Sequence, residues 1–141
     1  MMFIIISCTS DRKPNTTNTT KIDTAKVIEE SVNYIFKTEQ FAPEYYTDTL
    51  KIVKSKNVSA NTNFMLNGKM SKFVNEKPSL QVLNNWKHPK LYLEVVELKR
   101  VNNNTIFLDL FFRTTGNGFN VWIKEKKSST LNVDSINNYQ N

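Results

Sequence analysis

The stretch KLYLEVVELKRVNNNTIFLDLFFRTTGNGFNVWIKEKK, residues 90–127, holds three alternating runs: Lys90–Val101, Thr105–Thr114 and Phe119–Lys127. Apolar side chains recur at every second position, the period of a strand with one buried face. Asn102-Asn103-Asn104 and Gly116-Asn117-Gly118 separate the runs. The second has the composition of a type I′ hairpin turn, because Asn and Gly accept positive φ at low cost. The runs therefore predict a three-strand antiparallel meander. A two-residue loop at Asn117-Gly118 sets Arg113 opposite Trp122, Phe112 opposite Ile123 and Asp109 opposite Lys126. A two-residue loop at Asn103-Asn104 sets Glu94 opposite Arg113 and Val95 opposite Phe112. One face then carries Leu93, Val95, Leu110, Phe112, Val121 and Ile123, the expected core. The other carries the rows Glu94-Arg113-Trp122, Val96-Phe111-Lys124 and Leu98-Asp109-Lys126, where opposite charges and cation–π neighbours are expected across strands.

That second face is the candidate binding surface. Tyr92, Phe107, Phe111 and Trp122 supply more aromatic area than a solvated face needs, and Arg113 and Lys124 flank them. The plainer reading is a mixed face whose rings are shielded by Lys and Arg stems.

Upstream, one helix is expected over about residues 24–39. Asp23 suits the N-cap, and Ile22 with Val27 suits a hydrophobic staple. Ala25, Ile28, Val32 and Ile35 form one apolar stripe, with Lys26, Glu30, Asn33 and Lys37 on the wetter side. Pro43 stops the helix. Tyr45–Ser55 reads as a strand. Asn67-Gly68 is a possible I′ turn between Phe64-Met65-Leu66 and Lys69–Val74. Leu80, Leu83 and Trp86 stand at helical steps in Pro78–Trp86, a short piece ended by Pro89. One helix followed by antiparallel strands is α+β, the helix covering a curved sheet. The order is similar to cystatin-like and NTF2-like rolls in architecture alone: the cystatin glutamine-valine-glycine motif is absent, and Gln81-Val82-Leu83 does not supply it.

A chain of 141 residues suits one domain. One Cys and one His exclude a disulfide framework and a Cys/His zinc centre, and no metal or cofactor motif is found. The formal charge of +6 comes from 16 Lys and 3 Arg spread evenly along the chain. Nucleic-acid readers lean on clustered Arg, so this pattern argues against such a partner. With 19 Asn, the Lys bias reads as the product of an AT-rich genome. Catalytic chemistry is sparse. His88 stands alone between Lys87 and Pro89, no G-x-S-x-G occurs, and Gly68, Gly116 and Gly118 are read as turn glycines. Glu94, Glu97 and Asp109 share the sheet, which leaves a carboxylate pair as an alternative, although Glu94 and Asp109 are expected to face bases. The chain is read as non-catalytic.

Met1–Ile6 is an unbroken apolar run that ends at Ser7-Cys8, and Thr9–Thr20 is polar apart from Pro14. Ile5-Ile6-Ser7-Cys8 resembles the lipobox of bacterial lipoproteins. The resemblance covers about twenty residues and implies cleavage before Cys8, with lipidation of its thiol. The apolar run is shorter than usual and lacks a preceding Lys or Arg, as a late start or a trimmed chain would give. Several acyl chains meet the two-signal requirement for stable anchoring. The expected organisation is a signal remnant over 1–7, lipidated Cys8 and a flexible tether over 8–21, and one α+β domain over 22–141. Thr9 is not Asp, which by the same resemblance leans towards the outer membrane. The expected function is binding a protein or glycan as an accessory subunit of an envelope complex. The alternatives are an immunity lipoprotein against a periplasmic toxin, and a small NTF2-like enzyme with a pocket in the cone of the sheet.

Overall fold

Asp23 opens the first helix, α1 (Thr24–Thr38), as expected: its side chain accepts the backbone N–H of Lys26. The apolar stripe turns inward, with Val27, Ile28, Val32 and Ile35 buried and Ala25 partly so. Ser31, also buried on this face, donates its hydroxyl to the Val27 carbonyl at 2.8 Å. That bond satisfies a polar group which the core would otherwise strand. The computed structural model describes residues 21–39, 41–46, 48–127 and 130–141. The lipobox-like Ile5-Ile6-Ser7-Cys8 and most of the expected tether lie outside the described residues.

α1 ends at Thr38 with an extended Glu39 as its C-cap, before Pro43 is reached, and Pro43 instead begins a 3-10 turn, Pro43–Tyr46. The strand expected over Tyr45–Ser55 shrinks to β1 (Lys51–Val53). Proline fixes φ at a value suited to a turn start, so the chain turns over Pro43–Tyr46, where the strand was expected to begin. Asn67 and Gly68 have φ of 50° and 74° and join β2 (Met65–Leu66) to β3 (Lys69–Met70). This is the I′ pattern of two positive φ values. The run Lys69–Val74 is not one strand: β4 (Lys72–Val74) leaves the hairpin and pairs with β1. The short helix α2 (Leu80–Leu83) is capped by Ser79.

The remaining strands are β5 (Tyr92–Asn102), β6 (Thr105–Phe112), β7 (Asn117–Glu125) and β8 (Leu131–Gln140). The described residues form an α+β fold whose main sheet has the order β4-β1-β5-β6-β7-β8. It is mixed: β1 runs parallel to both β4 and β5, and the rest is an antiparallel meander. The meander has four strands where three were expected. In β8 the inward positions Leu131, Val133 and Ile136 break the period of two, because a bulge falls at Asp134 between Val133 and Ser135, while Tyr139 stands on the outer face opposite Gly118.

The expected registers are corrected while the expected faces survive. Phe107, not Arg113, lies opposite Trp122; Ile106 lies opposite Ile123, and Asn120 opposite Asp109. The turn is the four residues Arg113–Gly116, closed by Phe112 and Asn117, with Gly116 at φ 73°. In the first hairpin Asn103-Asn104 is the loop as read, with Asn102 opposite Thr105. Two irregularities in β5, between Val95 and Glu97 and between Arg100 and Asn102, then set Leu93 opposite Phe112 and Val95 opposite Leu110. Each bulge moves the pairing by one residue, and a slip of one exchanges faces. Two slips restore the original face. Between the bulges the faces are exchanged, so Leu98 packs on the core instead of standing with Asp109 and Lys126.

Leu93, Val95, Leu110, Phe112, Val121 and Ile123 are all buried completely. Each such side chain contributes roughly 1.5–3 kcal/mol over an exposed one. α1 lies across β8 and β7, and Phe64 and Leu66 beside β2 join the same core. Val53 is fully buried and Tyr92 nearly so, yet both point to the opposite face from Ile52 and Leu93. The chain from β4 to β5 must pass over β1, and Lys77 reaches Glu94 at 3.3 Å. That crossover therefore shields the β1 side of the outer face and leaves the meander side uncovered.

Candidate functional site

The outer face of the meander takes its chemistry from alternation. Once Leu108, Leu110, Val121 and Ile123 point inward, Phe107, Asp109, Phe111, Trp122 and Lys124 must point outward. Directly opposite pairs set the rows. Lys99, Phe107, Trp122 and Ser135 form one; Glu97, Asp109, Asn120 and Asn137 form the next; Glu94, Phe111, Gly118 and Tyr139 form the third. The Phe107 and Trp122 rings stand 5.1 Å apart at 56°, and Lys99 Nζ sits 5.2 Å from the Phe107 centroid. A cation near a ring face gains about 0.5–1 kcal/mol at an exposed site.

The six residues expected on this surface are distributed over the same face but not in one cluster. Phe107 and Trp122 are direct partners. Phe111 is two residues along β6 from Asp109, in the third row. Arg113 is ion-paired to Glu94 through Nη2, and it lies at the turn, away from Trp122. The row Glu94-Arg113-Trp122 is thus corrected, although its Glu94–Arg113 pair forms. Lys124 lies opposite Thr105 and donates to its hydroxyl at 2.9 Å. Tyr92 is removed from the surface: it is buried, with Lys51 Nζ 5.7 Å from its ring centroid.

Asp109 was expected to face Lys126 and instead accepts a hydrogen bond from the Tyr139 hydroxyl at 2.5 Å. Burial, then this bond and the Asp109 charge, push the Tyr139 phenol well above the usual tyrosine range. The residue escaped the sequence reading because β8 did. Its ring lies on Gly118, where an added Cβ would fall inside the ring. Gly118 therefore serves inter-strand packing, not the turn. Because its folded pKa is raised, the Tyr139 contribution is present below about pH 10, the unfolded value, and is lost as pH rises beyond it. Tyr139→Phe is expected to lower stability by about 1 kcal/mol near neutrality and to remove part of the alkaline loss. Urea midpoints of both proteins at about pH 7 and about pH 11 test this; parallel alkaline losses would sink it.

Glu97 and Asp109 are direct cross-strand partners, so two carboxylates do stand side by side. Glu97 is paired with Lys99 at 2.9 Å and Asp109 is held by Tyr139. Glu94 carries Arg113 and Lys77. His88 lies in an exposed loop whose hollow is lined by Glu44, Asp48, Lys87 and Lys90. Among the described residues no group of three or more His, Cys, Asp and Glu could hold a metal, and no helix is long and apolar enough to cross a membrane. Ile28, Val32 and Ile35 of α1, with Leu108, Leu110 and Phe112 of the sheet, fill the space where a pocket in the cone of the sheet would lie. The larger hollows open at the rim, one beside Phe41, Phe119 and Tyr139 and another beside Lys26 and Lys126. No protein-family model, curated protein or solved structure matches the chain.

Proposed function

We propose that the chain is a lipid-anchored protein of the bacterial envelope that acts by binding, as an accessory subunit docking a protein partner on the outer face of its meander. The observation that carries the binding site is the Phe107–Trp122 pair, ring beside ring on an open strand face next to the Glu97–Asp109 row. No described helix or strand packs on this part of the sheet. Half-buried aromatic side chains ringed by polar groups are the type that dominates protein interfaces. Catalysis favours walls that exclude water and fixed dipoles around a reacting atom, and a flat open face offers neither. The anchor is carried by Ile5-Ile6-Ser7-Cys8, and Thr9 inclines it to the outer membrane. We read the helix-on-sheet order as similar in architecture to cystatin-like and NTF2-like rolls, with no activity attached.

Two measurements separate the parts of the proposal. Radiolabelled palmitate should enter the full-length protein and not the Cys8→Ala variant; equal labelling of both ends the anchor reading. A partner captured from membranes in mild detergent should be lost from Trp122→Ala and Phe107→Ala while circular dichroism stays native. Retention of that partner by both variants would refute the binding face.

A further inference from the structure

One end of the sheet gathers four lysines around a single cleft. At the end bearing the Asn103-Asn104 loop, the start of α1 meets the end of β7 around a cleft of about 460 Å³. Lys21, Asp23, Lys26, Glu125, Lys126 and Lys127 line it. Both carboxylates are committed within the fold. Asp23 Oδ1 accepts from the Lys26 backbone N–H at 3.2 Å. Glu125 takes a two-pronged bond from Arg100, at 3.0 and 2.9 Å. That pairing helps hold the Arg100 guanidinium firmly protonated. Lys21, Lys126 and Lys127 thus stand with Lys26 around two acids, one of which the Arg100 guanidinium already pairs, so the cleft keeps a net positive charge. The opposite end holds the turn Arg113–Gly116 and the last residue, whose backbone N–H bonds Gly116.

Lys21 is also where the segment leading back to Cys8 meets the described domain, only thirteen residues further on. The segment leading back to Cys8 therefore leaves the domain from the end that bears the lysine cleft, within a reach of at most about 45 Å. We infer that this basic end is a docking surface for the headgroups of anionic lipids, standing the domain with its strands pointing at the membrane. Charge complementarity and the place of Lys21 select that occupant. In this pose the Phe107–Trp122 face looks sideways, along the membrane plane, where it meets a neighbouring protein. The proximity of a bilayer rests on the anchoring proposed above; the surface itself is read from the fold.

The test uses full-length Cys8→Ala protein, so that no acyl chain contributes, sedimented with vesicles. One set is phosphatidylcholine alone, and the other carries about one-third phosphatidylglycerol. Binding is expected to the anionic vesicles only, and to fall away at high salt. Adding Lys126→Glu and Lys127→Glu should weaken it by at least tenfold, on the order of fivefold per lysine lost from an anionic surface. Lys21→Glu with Lys26→Glu gives an independent pair should the first fail to fold. Lys87→Glu with Lys90→Glu, at the opposite end, should leave binding unchanged. Equal binding to neutral vesicles overturns the inference. So does anionic binding that survives loss of the basic end, or that depends on Lys87 and Lys90 instead. Because the assay contains no lipidated protein, its failure is independent of the palmitate result.

Discussion

Phe112→Ala is expected to destabilise the domain by about 3–5 kcal/mol, a large share of the 5–15 kcal/mol that holds a typical domain together. Phe112 is wholly buried, and its ring meets three others: Phe41 at 5.2 Å, Phe119 at 5.8 Å and Phe36 at 6.2 Å. These come from three separate pieces of chain, the α1 helix, the segment after it and β7. Phe36 and Phe41 are themselves stacked at 4.7 Å, so neither can move into the gap without breaking another contact. A cavity that cannot collapse is the expensive kind. Phe107→Ala is the internal control, five residues earlier and so on the opposite face. Its half-exposed ring should cost about a third as much, with the main loss in partner retention. Urea titrations should show lower midpoints at an unchanged slope. Equal costs at the two positions would mean that the aromatic cluster is not the keystone of the core.

That contrast depends on faces, and faces were what the sequence expressed most clearly. A period of two assigns the inward residues of β6, β7 and the start of β5, because burial acts on each position separately; only Leu98, between the β5 bulges, changes face. Register is a different quantity, set by turns and bulges. Asn117-Gly118 has the composition of a tight turn, yet the chain turns earlier, at Arg113–Gly116, and spends Gly118 on the Tyr139 ring. Nothing near Gly118 announces that use, since Tyr139 lies twenty-one residues on. The error moved the pairing by an even number of residues, so the core stayed correct while the outer rows changed partners. Trp122 gained Phe107 and lost Arg113. The candidate face was therefore legible in its membership and illegible in its neighbours. Tyr92 was misplaced for another reason: alternation sees one sheet face at a time and cannot see a crossover laid over it. β1 and β4 illustrate the same limit, for three-residue parallel strands owe their place to long-range pairing more than to their own composition.

Gly118→Ala should be destabilising by about 1–3 kcal/mol in the native sequence and stabilising in a Tyr139→Ala background. The backbone at Gly118 needs no positive φ, so by itself an alanine there suits a strand better than glycine, by roughly 0.5–1 kcal/mol. The penalty comes from the neighbour. A Cβ at Gly118 falls within the Tyr139 ring and can be admitted only if the ring swings away. Moving the ring breaks the hydroxyl bond to Asp109 and loosens β8, the strand that carries α1 on its other side. With the ring already removed by Tyr139→Ala, the added methyl has room and only the strand preference remains. The four proteins form a double-mutant cycle whose coupling should exceed about 1.5 kcal/mol, beyond the scatter expected of independent sites. Additive effects would place the Tyr139 ring elsewhere. The predicted reversal of sign, read from urea midpoints, would establish that the Tyr139 ring seated on Gly118 adds to the ladder that fastens β8 to β7.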